Sequence, residues 1–136
     1  MANLTITVAS VAPGSTAQTA NGIAGATITA GAGVYIDTAN SNVIKPALAT
    51  SLLASTLAGI ALHGALTGQP ITYIAAGTYT AGATVAVGTT YVVSATSGLL
   101  CPVADLASTN YVSHVGIATS TTVINVQRNN SGVQVP

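Results

Sequence analysis

The side chains able to do chemistry are His63, His114, Cys101, Asp37, Asp105, Lys45, Arg128 and the tyrosines Tyr35, Tyr73, Tyr79, Tyr91 and Tyr111. Catalysis needs such groups gathered at one place, with a nucleophile, a base and an anion-stabilising donor in mutual reach. The sequence holds no Gly-x-Ser-x-Gly elbow, no phosphate-cradling glycine loop ending in Lys and no His-Glu-x-x-His. A Ser/His/Asp triad would have to be assembled in space from His63 or His114 with Asp37 or Asp105, and no spacing favours it. His63 follows Gly59-Ile60-Ala61, whereas His114 precedes Gly116-Ile117-Ala118. The two histidines are therefore not matched positions, and strand ends or a subunit interface suit them better than a metal pair. The lone Cys101 excludes an internal disulfide and a CxxC metal site. Asp37 and Asp105 stand in turn-rich contexts where short acids bond nearby backbone N–H groups, and Lys45 and Arg128 are the cations available to pair with them or with a partner. Without Trp, the tyrosines make a weak sugar platform, and Tyr35 and Tyr91 read as core residues. The expectation is a non-enzyme with no cofactor and no metal.

Composition narrows the partners. Of 136 residues only 3% are charged, the formal net charge is zero, and Ala and Thr supply a third of all positions. Two cations cannot neutralise the several phosphates a nucleic-acid binder must meet. A chain that is 49% hydrophobic is also a poor candidate for disorder. Residues 1–8 lack a basic region followed by a continuous apolar core, so they do not read as a signal peptide. Residues 48–66 carry no formal charge and are long enough to span a bilayer, but Thr50, Ser51, Ser55, Thr56, Gly59, His63 and Gly64 interrupt them. A helix followed by a buried strand fits that stretch better than a membrane span.

The elements that must position these groups show an internal match. Ala24-Gly25-Ala26-Thr27-Ile28 returns as Ala81-Gly82-Ala83-Thr84-Val85, offset by 57, and Gly31 matches Gly88. Tyr35 then matches Tyr91 and Pro46 matches Pro102 at 56, as if one residue were lost between Gly88 and Tyr91. In each unit a β-branched run, a turn and a return arm stopped by proline predict a hairpin, at residues 34–45 and 91–101. Further strands are predicted over residues 26–29, 57–62, 71–75, 111–118 and 121–126, with a helix carrying Leu48, Leu52, Leu53 and Leu57 on one stripe and one helical turn at 103–107. Nine or ten short strands point to an all-β fold, mainly β with one short helix: a small β-sandwich or barrel of two duplicated hairpin units. The domain is expected at residues 23–127, with repeats at 24–75 and 81–126. Residues 1–22 read as an extended N-terminal arm and 128–136 as a C-terminal tail. The alternating Leu4, Ile6 and Val8 would let the arm add a strand to a neighbour or a larger partner.

The runs Gly59-Ile60-Ala61, Gly68-Gln69-Pro70-Ile71-Thr72, Ala76-Gly77, residues 88–98, Pro102-Val103-Ala104-Asp105-Leu106, Tyr111-Val112 and Gly116-Ile117-Ala118 resemble tailed-bacteriophage head decoration (capsid cement) proteins. The resemblance covers residues 24–126. It implies a structural protein of the virion, made in the host cytoplasm, that sits on the outer capsid surface, binds the major capsid protein and stiffens the shell. It further implies a homo-oligomer at a symmetry axis; the uncharged, apolar composition favours a trimer ahead of a dimer and speaks against nucleic acid or membrane as partner. The resemblance carries over no functional residues. The alternatives are a virion appendage such as a head fibre or tail protein touching the host, and a carbohydrate-binding β domain.

Overall fold

Turn residues and β-branched runs divide the chain into short strands, and a computed structural model describing residues 3–136 shows ten of them with one four-residue helix. In chain order they are β1 (Val11–Pro13), β2 (Gln18–Ile23), β3 (Gly33–Asp37), β4 (Val43–Pro46), the helix α1 (Leu52–Ser55), β5 (Leu57–Ala61), β6 (Pro70–Ala81), β7 (Thr90–Val93), β8 (Leu100–Pro102), β9 (Tyr111–Ala118) and β10 (Val123–Gln134). The strands form one antiparallel sheet that curls into a half-barrel, in the order β4-β3-β5-β6-β10-β9-β7-β8, and β1 and β2 pair with β6 off that path.

β6 organises the sheet. Its first half pairs with β5 (Ile60↔Ile74, Ala61↔Tyr73) and its second half with β10 (Val123↔Thr80 to Val126↔Gly77), so the sheet forks between Ile74 and Gly77. A register shift opposite Gln18 and Thr19 breaks the alternation along β6. Ile71 and Tyr73 enter one core cluster, while Ile74, Tyr79 and Ala81 enter the other. An even-numbered and two odd-numbered residues can share a face only because an extra residue intervenes, which is what a bulge does. Gly77 sits there at φ 95°, and a β-carbon on it would overlap the Thr16 carbonyl.

One cluster draws on both branches of the fork, with Leu57 and Ile60 from β5 packed with Tyr91, Val93, Leu100, Val115 and Ile124. The other lies on the opposite face of β6, where Ala24, Ile28, Val34 and Ile44 pack with Ile71 and Tyr73.

Several elements differ from the sequence expectation. The Leu stripe gives a helix of one turn, because Ala47 and Ala49 are drawn into the core and their backbone bonds go to other segments: Ala47 N–H donates to Gly33 O at 2.7 Å and Ala49 N–H to Ser94 O at 3.0 Å. Ser51 caps what remains by accepting from Ala54 N–H. Leu57 belongs to β5 instead. Residues 26–29 make an isolated bridge, Ile28↔Ala65, and no strand. The expected arm and tail are built into the fold: β1 and β2 run beside β6 from Val11↔Ala81 to Ile23↔Pro70, and β10 pairs with β9 as far as Gln134↔Tyr111. Their polar side chains face outward while their backbones join the ladder, so composition alone did not mark them as strands. Among the described residues no helix is long and apolar enough to cross a membrane.

Candidate functional site

The ionisable groups are spent locally. Asp37 closes the β3–β4 turn: its carbonyl accepts from Asn40 and Asn42 N–H, its Oδ1 accepts from Ala39 N–H, and Lys45 Nζ lies 2.8 Å from its Oδ2. Ser41 and Asn42 take the left-handed conformation the turn needs, with φ 60° and 58°. The hydrogen bond and charge of Asp37 hold the Lys45 ammonium above its ordinary pKa. His63, just after β5, bridges two strands by accepting Thr72 N–H at Nε2 (3.1 Å), which leaves Nδ1 as the protonated nitrogen facing Gly64 O (2.9 Å). His114 lies in β9 beside a shallow depression with Gly116, Ile117, Gln127 and Asn129. Cys101 is buried in β8; burial, then the Asp105 charge, push its thiol up, against a hydrogen bond from Ser94. No group of three or more His, Cys, Asp or Glu among the described residues is placed to hold a metal.

The arm residues are committed to their own domain. Leu4 N–H donates to Leu100 O at 2.8 Å, so the segment runs beside the outer side of β8, and Leu4 packs against the core. Asn3 is held by Ser94 Oγ and by Thr96 Oγ1. Ile6 packs near Gly31 and Gly82, while Thr7 N–H donates to Gly82 O at 2.7 Å. Val8 starts a 3-10 turn and is 53% exposed. Leu4, Ile6 and Val8 thus lie outside the strands, the first two packed on their own domain and Val8 exposed. Apolar side chains covering an edge within the same domain lose water contact without the entropic cost of docking a second body.

The four positions singled out for the repeat fall as follows. Pro46 pairs with Val34 at the end of one hairpin, and Pro102 with Tyr91 at the end of the other. On the opposite side Val34 pairs with Gly59 and Tyr91 with Gly116. Val34, not Tyr35, thus holds the register position of Tyr91, and Tyr35 corresponds to Val92. A one-residue change of register turns a side chain to the other face. Tyr91 is buried, with its hydroxyl accepting from Ala86 N–H, whereas Tyr35 is only half-buried.

A different surface stands out, at the fork of the sheet. Leu57 leads β5 away from β6, leaving backbone groups that no strand pairs. Arg128 and Asn130, on β10, fill the gap. Arg128 Nε–H donates to Ala75 O at 2.8 Å and its Nη1–H to Leu57 O at 3.1 Å. Asn130 accepts Leu57 N–H at 2.9 Å and donates to Leu57 O at 3.1 Å. Beside this clasp opens a groove of about 390 Å³, walled by Ile36 and Leu53 and floored by Leu57 and Ala58, with Thr38 and Thr56 at its rim. Ile36 is 37% exposed, Leu53 38% and the adjoining Leu52 54%. Large aliphatic side chains gathered at one exposed place mark an interaction surface more than scattered ones do. Among the described residues Arg128 makes no carboxylate contact.

By sequence Arg128 belongs to a polar tail. The run Gln127-Arg128-Asn129-Asn130-Ser131-Gly132 has no apolar alternation to announce a strand, and nothing in it foretells a forked sheet. Comparison of the chain with protein-family models, with curated proteins and with solved structures finds no match.

Proposed function

We propose that this chain is a structural virion protein that binds the outer surface of a tailed-bacteriophage capsid and stabilises the shell, working as a homo-oligomer, in the first instance a trimer. The observation that carries the reading is the exposed aliphatic surface at the fork, on a chain with almost no charge to hold partners by other means. A protein present in many copies on one particle gains from neutrality, since like charges would repel one another across the lattice. Closed symmetry covers apolar surface without running on into filaments. The same reading takes the domain as two copies of one hairpin unit. Val34 and Tyr91 have matching partners on both sides. Each unit also skips one residue next in line, between Gly59 and Leu57 in β5 and between Gly116 and His114 in β9. The length difference then falls in the hairpin loops, not before Tyr91.

The test is decoration itself. Particles lacking this chain, mixed with the purified protein and imaged by electron microscopy, should gain discrete density on the outer surface. Binding should change little between about 0.05 and 0.5 M NaCl, because two cations give counterion release and long-range attraction little to act on. Absence of added density, or release by moderate NaCl alone, would overturn the reading.

A further inference from the structure

We infer that the groove at the fork is the capsid-facing contact and takes an extended segment of the shell protein presenting a carboxylate next to an aliphatic side chain. This rests on the function proposed above and names the surface that performs it. Two features of the groove select that chemistry. Its walls, Ile36 and Leu53, with Ala58 beneath, are aliphatic and fit an aliphatic side chain. Its polar end holds a guanidinium that, among the described residues, donates only to the neutral carbonyls of Ala75 and Leu57. Those two bonds fix the Arg128 plane and leave further N–H donors and a full positive charge unanswered. A carboxylate is the group that meets such a fork in two parallel bonds.

The chain's own acids are poor candidates for the role. Asp37 is buried and ion-paired with Lys45, and Asp105 already has partners within its own fold. With neither aspartate on offer, the carboxylate is assigned to the shell protein. A single charge pair at one end of an aliphatic contact also agrees with weak salt dependence: orientation is set by the pair, and attachment by apolar burial.

The experiment separates apolar contact from charge. Leu53 lies partly exposed on the one-turn helix α1, so its replacement should leave folding intact, which a thermal melt checks. Binding to particles lacking the chain is measured for the wild type, Leu53→Asn, Leu53→Asp and, as a control outside the groove, Leu66→Asp. Leu53→Asn should weaken binding a few-fold. Leu53→Asp should weaken it at least about tenfold further, since the new carboxylate occupies Arg128 and repels the partner's. Leu66→Asp should bind as the wild type does. Equal losses for Leu53→Asn and Leu53→Asp would overturn the carboxylate, and no loss in either would overturn the groove, both with decoration left standing. If Leu53→Asp breaks up the chain's own oligomer instead, the groove is a contact between copies and the inference falls. Failure of the wild type to bind particles would sink the proposed function, and this inference with it.

Discussion

Tyr79 offers the sharpest test of the interior. It lies in β6 between Pro13 of β1 and Ile124 of β10, is 1% exposed, and its hydroxyl has no hydrogen-bond partner among the described residues. A buried hydroxyl left unpaired costs about 1–3 kcal/mol of desolvation. Tyr79→Phe removes that cost and gives up only a few dispersion contacts of about 0.1–0.2 kcal/mol each. The net expectation is a gain of about 1 kcal/mol at pH 7, or about 3–5 °C in Tm for a domain of this size. Burial also pushes the Tyr79 pKa upward, which adds a signature a plain packing change would lack. Above pH 10 the unfolded chain releases this proton while the folded chain keeps it. Stability is then fully present below the unfolded pKa and falls as pH rises, at up to about 1.4 kcal/mol per pH unit. Urea unfolding of both proteins from pH 7 to pH 11.5 should show a constant difference that widens once pH passes about 10 in favour of Tyr79→Phe. Cys101, whose thiol is also pushed up, contributes equally to both and cancels. A Tyr79→Phe variant that is less stable at pH 7, or a difference that stays flat to high pH, would refute the account and give the hydroxyl a partner.

Two further expectations concern the backbone. A β-carbon at Gly59 would overlap the Ile74 carbonyl oxygen, and one at Gly116 the Asn125 carbonyl oxygen. Gly59→Ala and Gly116→Ala should therefore each cost about 3 kcal/mol or more by chemical denaturation, and a cost below about 1 kcal/mol at either would show that the strands there can separate freely. Deleting residues 1–10 removes the Leu4–Leu100 and Thr7–Gly82 bonds and the packing of Leu4 and Ile6. The domain should lose about 2–4 kcal/mol, and a truncated chain as stable as the full one would return this segment to the role of a detachable arm.

Strand positions were legible where apolar side chains alternate or cluster. The alternation over residues 111–118 predicts a strand and β9 occupies the same span, and the hairpins at Val34 and Val92 stand where β-branched runs flank a turn. The sequence was silent where the backbone alone does the work. Gln18–Ile23 and the second half of β10 are mostly polar, with Ile23 and Val133 exposed, so no apolar alternation separates them from a loop. The Tyr35–Tyr91 match misled for a related reason. Identity of side chain pairs Tyr35 with Tyr91, whereas in the ladder it is Val34 and Tyr91 that face glycines, Gly59 and Gly116, where strands approach too closely for a side chain. The candidate site was illegible because it arises from a fork: Arg128 and Asn130 gain meaning only once Leu57 has left β6.

The edges of the sheet connect this architecture to assembly. A strand edge presents unpaired N–H and C=O groups, and soluble proteins usually guard it with charge. This chain has almost none to spend, so it guards with backbone. β8 is flanked by the segment bearing Leu4, and β4 by Ala24 and Gly25, whose N–H reaches Ile44 O at 2.8 Å. Besides the three-residue β1, the exception is β2: β6 pairs one side of each, and among the described residues no strand pairs the other. Gln18, Thr19, Asn21 and Ile23 are exposed along β2, with no Lys, Glu or Pro among them. An open, uncharged edge is a liability for a free monomer, and it agrees with the proposal that other copies and a shell surround the chain. The chargeless composition and the aliphatic fork point the same way, since each leaves unprotected a surface that assembly would cover.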